Sequence, residues 1–157
     1  MTRVPRQAIY DALYALIPTV AWTNPDGTPG AFATVSKRVQ LFNQIDATSR
    51  PSCMQAEHDE SVAQVSNLPY KRTFAAHWII YTNADLDADL APSEQINTIL
   101  EAIETAVAPT VYDPGYPSRN TLGGLVHHCY ISGEIFKDPG DIDGTGLLMV
   151  PFKILAP

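Results

Sequence analysis

Two adjacent imidazoles and a thiol, His127, His128 and Cys129, are the residues of this sequence best suited to hold a metal, because imidazole nitrogen and thiolate sulfur are the usual ligands of zinc. Their spacing works against it. Consecutive side chains of a strand point to opposite faces, so only His127 and Cys129 share a side, and the remaining ligands must come from His58, His77 or Cys53. Half-buried sheet residues are the simpler reading. Two groups of carboxylates, Asp85, Asp87 and Asp89, then Asp138, Asp141 and Asp143, offer oxygen ligands for Ca²⁺ or Mg²⁺. Neither spells a calcium loop, since the first lacks a glycine after Asp89 and the second has Gly140 where an acid or amide belongs. Solvated turn carboxylates account for both.

Nucleophilic chemistry has no better footing. There is no Gly-x-Ser-x-Gly elbow, and the serines and cysteines lack a recognisable base or helix-start context. The stretch Asn120-Thr121-Leu122-Gly123-Gly124 lacks the glycines and lysine of a phosphate-binding loop and reads as a tight turn into a strand. No pair of carboxylates is singled out for acid and base work either, and the expectation is a protein that is not an enzyme and uses no cofactor. Lys37-Arg38 and Lys71-Arg72 are its adjacent basic pairs, and such pairs belong more often to a solvated face or an interface rim than to a phosphate clamp. Of the tryptophans, Trp78 suits the core, whereas Trp22 flanks a turn-rich loop and is a candidate interface anchor.

The elements that must position these residues follow from periodicity. Ile9, Ala12, Leu13, Leu16 and Ile17 draw one apolar stripe, which predicts a helix over 4–17 with Thr2 as cap, Pro5 in its first turn and Pro18 as stop. Residues 23–30 gather turn formers into an exposed loop. Alternation of Val35, Val39 and Leu41 with Ser36, Arg38 and Gln40 predicts a half-buried strand over 31–42, antiparallel to a neighbour. A short strand is placed at 51–57 and a polar excursion at 58–70. The run from Arg72 to Thr82 reads as the central strand. Pro92 and Glu94 open a second helix carrying Ile96, Ile99, Leu100, Ile103 and Val107, closed by Pro109. Residues 125–136 and 147–155 form two further strands, joined by a long hairpin link holding Asp138, Asp141 and Asp143. The last strand buries Leu148, Val150, Phe152 and Ile154 on one side, and Pro151, which cannot donate to a ladder, places it at the sheet edge, where it invites a partner.

The fold class is thus α+β: a mostly antiparallel or mixed sheet with two helices packed on one face, in the order α-β-β-β-α-β-β, as a single domain over 1–157. At 157 residues such a domain buries roughly two thirds of its unfolded surface and needs no metal or disulfide staple. Two distant cysteines define no disulfide framework, so both are expected as free thiols. Ten Lys plus Arg against seventeen Asp plus Glu, a net charge of -7, repel phosphate backbones and argue against specific nucleic-acid binding. A surface that lets DNA slide past without sticking is nevertheless expected to be neutral or negative. No run approaches the roughly 18 apolar residues of a membrane helix, and the start of the chain carries no apolar leader, so a cytoplasmic site of synthesis is expected.

Four stretches carry a family resemblance: the first helix ending in Leu13 to Ile17; Val35-Ser36-Lys37-Arg38-Val39 with Arg50-Pro51-Ser52-Cys53 after it; the second helix over Asn97 to Glu104; and Asn120 to Val126 leading to Gly133-Glu134-Ile135. Asp143-Gly144-Thr145-Gly146 before a β run also suits it. In these the chain resembles the tail terminator, or tail completion, proteins of long-tailed bacteriophages and gene transfer particles. The resemblance implies a virion protein at the neck end of the tail, assembled in the host cytoplasm as a ring homo-oligomer, commonly a hexamer. Such a ring stacks on the tail tube protein, ends tail polymerisation and presents its other side to the head connector, with DNA passing through the lumen unbound. A head-completion, stopper or minor tail protein is the neighbouring alternative, and a small metal-dependent enzyme using His77, His127 and Cys129 the one from another class. Trp22, Lys37, Arg38, Asp138, Asp141, Asp143 and Pro151 are the interface candidates.

Overall fold

A computed structural model of the chain describes residues 3–64, 66–68, 70–83, 93–140 and 144–157. The elements run α1 (Arg6–Tyr14), β1 (Ala21–Thr23), β2 (Pro29–Ala31), β3 (Thr34–Ser36), β4 (Ser52–Ala63), β5 (Lys71–Asn83), α2 (Glu94–Ala106), β6 (His128–Ile131), β7 (Phe136–Asp138) and β8 (Thr145–Ala156). β1 and β2 form a small hairpin. The main sheet has the order β3-β4-β5-β8-β6, with β7 also paired to β8. All its ladders are antiparallel except β3 with β4, so the α+β expectation holds, and β5 is central as its sequence predicts.

Strand pairing decides which side chains share a face. Phe74, Ala76, Trp78 and Ile80 of β5 lie opposite Ile154, Phe152, Val150 and Leu148 of β8, and alternation sends all eight to one side. There they meet Ile9, Tyr10 and Leu13 of α1 and Ile96, Ile99 and Ile103 of α2 in one buried cluster, so both helices cover the same face. Burying a side chain of this size stabilises the fold by about 1.5–3 kcal/mol, and this cluster is where most of that gain is concentrated. Among the described residues, the other face is covered at one end, where Phe42 and Ile45 pack over Met54, Ile79, Tyr81 and Leu147.

Several expectations are corrected. α1 stops at Tyr14, and a separate 3-10 turn over Ile17–Thr19 carries Ile17 to the core. Pro5 is its N-cap, without a side-chain cap bond, while Thr2 and Pro92 lie outside the described residues, as do Asp85, Asp87 and Asp89. The strand expected over 31–42 is two fragments, β2 and β3, and β3 runs parallel to β4. Its apolar residues are not half-buried: Val35, Val39 and Leu41 are 37%, 46% and 65% exposed. Beyond Ser36 the chain leaves the sheet and crosses its second face, where the Gln40 carbonyl accepts the Tyr81 hydroxyl at 2.7 Å and the Gln40 N–H meets Met54 Sδ at 3.2 Å. β4 continues to Ala63 through residues read as a polar excursion, because its far half is exposed and has no apolar period to show. The strand expected over 125–136 is broken at Ser132 and Gly133, with Gly133 at φ +118°, into β6 and β7.

Pro151 is the most instructive correction. It is buried in the interior of β8, opposite His77 of β5. Its carbonyl accepts the Ser132 N–H at 3.0 Å, so its missing N–H must point to the same side. That side is the break between β6 and β7, whose ladders with β8 cover 152–155 and 147–149. The proline costs no ladder bond because no strand is there to accept one.

Candidate functional site: the two ends of the sheet

The main sheet ends on β3 at one side and, beyond β8, on β6 and β7 at the other, with β6 along 152–155 and β7 along 147–149; β3 and β7 are the strands that matter here. They belong to the same transverse row: β3 pairs 52–54 of β4, these pair 79–81 of β5, these pair 147–149 of β8, and these pair β7. Both strands are three residues long. Short edge strands leave one side of their backbone N–H and C=O groups unpaired.

The β3 end is apolar and basic. Val35, Val39 and Leu41 stand exposed around Lys37 and Arg38. Lys37 is engaged within the subunit, its Nζ 2.6 Å from Asp11 Oδ1 and 5.1 Å from the centre of the Tyr14 ring. The Lys37 hydrogen bond, helped by one from Gln7, holds the Asp11 carboxyl below its ordinary range. Arg38 is exposed, with its backbone fixed by a bond from its N–H to Ser36 Oγ at 2.9 Å.

The β7 end is more acidic and also carries an apolar side chain. Phe136 is 52% exposed, and Glu134 and Asp138 are exposed beside it. Lys137 turns toward the helices, its Nζ donating to Asn97 Oδ1 at 3.1 Å. Asp138 closes the turn into β8: its Oδ1 accepts the Gly140 N–H at 3.0 Å. Gly140 is required there, with φ +78° and a Cβ position that would lie 2.9 Å from the Thr145 backbone. Asp141 and Asp143 lie outside the described residues.

The remaining interface candidates sit elsewhere. Trp22 is 8% exposed; its ring lies over Gly30, where a Cβ would fall 2.0 Å from Nε1, and its indole N–H donates to Asn24 Oδ1 at 2.9 Å. It is used inside the subunit, against Phe32 and the core, so it offers a partner no free anchor. Pro151 is likewise interior. Glu134 and Phe136 are the edge residues that periodicity missed, because they read as the tail of one continuous strand.

The metal candidates are not brought together. Cys129 points to the helix-covered face, His77 to the other, and His127 precedes β6 on the exposed surface. Burial pushes the Cys129 thiol up to about 12 and the Cys53 thiol up as well, so both are neutral and poor ligands. Among the described residues no group of three or more His, Cys, Asp or Glu is placed to hold an ion. His58 and His77 do meet, with ring centres 4.2 Å apart in an edge-to-face contact, and His77 Nδ1 is buried without a hydrogen-bond partner.

Burial, with a smaller contribution from His58, lowers the pKa of His77. A base whose pKa is lower in the folded state binds fewer protons there than in the unfolded chain, so stability is complete above the unfolded value, about 6.5, and is lost as pH falls toward the folded one. Urea midpoints are expected to drop between pH 7 and pH 5, and His77→Phe is expected to flatten that slope. An unchanged slope in the variant removes His77 as its source.

Compared with known protein families and with curated proteins, the chain matches none.

Proposed function

We propose that the chain is a structural assembly subunit of the tail terminator kind, a ring homo-oligomer that caps a tail tube, ends its polymerisation and offers its outer side to a head connector. The observation that supports this reading is the pair of short edge strands in one row of the sheet, flanked by exposed Val35, Val39 and Leu41 at one end and Phe136 at the other. A subunit with different open edges at its two ends joins head to tail, and a head-to-tail join that closes makes a ring. Three-residue edges make few bonds, each worth about 0.5–1.5 kcal/mol, so the ring is expected to be conditional on concentration or on the tube beneath it. The net charge of -7 suits a lumen through which DNA slides.

Light scattering of the purified protein across concentration, alone and with tail-tube protein, tests the reading. The expected result is a closed oligomer of defined mass, visible as rings in electron micrographs, at least when tube is present. A strictly monomeric species under all of these conditions overturns it.

A further inference from the structure

The two ends of the sheet fit each other, and we infer that neighbouring copies join by antiparallel pairing of β3 in one subunit with β7 in the next, with Arg38 of the first beside Glu134 of the second. The inference rests on the ring reading and names its seam.

Direction comes first. β3 runs parallel to β4, β4 antiparallel to β5, β5 antiparallel to β8, and β7 antiparallel to β8. β3 and β7 therefore point opposite ways within one subunit. Extending the sheet head to tail preserves those directions across the seam, so the new ladder is antiparallel, the more favourable kind. The helix-covered faces stay on one side of the extended sheet, and no subunit has to turn over.

Register follows from the pleat. Val35 lies opposite Cys53, which lies opposite Ile80, so it faces the helix side, while Thr34 and Ser36 face the other. In β7, Lys137 lies opposite Leu148 and faces the helix side, while Phe136 and Asp138 face the other. Full overlap of the two strands sets Thr34 against Asp138, Val35 against Lys137 and Ser36 against Phe136, with every pair on a common face. A slip of one residue breaks that agreement everywhere at once. The register itself ends with the strands, since the chain leaves the sheet after Ser36 and β7 begins only at Phe136, but antiparallel pairing brings the segment just after β3, which carries Arg38, to the same end of the seam as the segment just before β7, which carries Glu134.

Charge agrees with the register. Arg38 and Glu134 are both exposed, and the antiparallel alignment, chosen on direction and pleat alone, puts the basic residue that follows β3 at the end of the seam where the acidic residue that precedes β7 lies. A two-fold join of β3 with β3 gives Arg38 no acidic residue across the seam, since 32–38 contains none. Val35 and Phe136, two of the exposed large side chains, each enter the join, on opposite faces of the extended sheet.

Charge reversal tests the seam in the full chain. Arg38→Glu alone and Glu134→Arg alone are each expected to weaken self-association about tenfold at low salt, the scale of one close ion pair made repulsive. An equimolar mixture of the two variants is expected to recover assembly, because alternating copies present Glu against Arg at one seam and Arg against Glu at the next. Circular dichroism is expected to be unchanged, since both side chains are solvent-exposed. As a second measurement, the double variant Val35→Cys with Lys137→Cys is expected to give a ladder of disulfide-linked oligomers on mild oxidation. If the wild-type chain assembles but the reversals and the cysteine pair have no effect, the seam is wrong and the ring reading stands. If the wild-type chain never assembles, with or without tube protein, both fall.

Discussion

Replacing Trp78 by alanine is expected to lower the unfolding free energy by about 3–5 kcal/mol, a large part of what holds a domain of this size folded. Trp78 is fully buried at the centre of β5, tilted against Phe152 with ring centres 4.6 Å apart. Its indole N–H donates to Gln55 Oε1 at 3.1 Å, and Gln55 Nε2 donates to the Tyr10 carbonyl at 2.9 Å. One side chain thus fills the middle of the core and begins a polar relay from β5 through β4 to α1. Truncation opens a cavity and leaves Gln55, 5% exposed, with an unsatisfied oxygen. Trp78→Phe separates the two effects: it keeps most of the packing and loses the donor, so a loss of about 1–3 kcal/mol is expected from the orphaned amide. Urea unfolding followed by circular dichroism reads both. A Trp78→Ala midpoint close to wild type shows that the cluster does not depend on this ring.

The core was legible in the sequence because its signals are periodic and its burial is one-sided. Leu148, Val150, Phe152 and Ile154 alternate and are buried as read, and Ile96, Ile99 and Ile103 of α2 behave the same way. The sheet's margins were not legible, for identifiable reasons. Val35, Val39 and Leu41 alternate as a buried strand does, but the chain leaves the sheet after Ser36, so their periodicity has no second layer to pack on. Pro151 carried a rule about ladders that is sound in itself; what one sequence does not show is that the neighbouring strand is interrupted at Ser132 and Gly133, just where the donor is missing. The split of β6 from β7 hid Glu134 and Phe136 for the same reason. Of the candidate docking residues, Arg38 and Asp138 fall at the sheet's opposite ends, whereas Trp22 turns inward because Gly30, opposite it on β2, has no side chain to keep the ring out. Exposure of an aromatic beside a turn depends on what the turn leaves room for, and that is a tertiary fact.

Arg72 is the one charged residue sunk wholly among the buried described residues, at 1% exposure, and Arg72→Met is expected to destabilise the fold by about 2–4 kcal/mol. Its Nε donates to the Pro157 main-chain oxygen at 2.8 Å and its Nη2 to the Val4 carbonyl at 2.9 Å, while the guanidinium lies 5.3 Å from the centre of the Phe74 ring. One planar fork therefore ties the segment before α1 and the end of β8 to the start of β5. Burial, with repulsion from Arg3 and Arg6, pushes its pKa down, and the two hydrogen bonds act against the cost of taking the charge out of water. Methionine keeps the apolar stem over Phe74 but leaves both carbonyls without donors. Arg72→Lys supplies a single point charge in place of the fork and is expected to recover less than half of the loss. If methionine instead equals or exceeds wild type in urea, the guanidinium is a net burden, as buried ions can be, and the ends of the chain are held by apolar packing alone. Native-state hydrogen exchange distinguishes these outcomes locally: under the fork account, the Ala156 and Ile9 amides lose protection in Arg72→Met while that of Ile80, at the other end of β5, is retained until global unfolding.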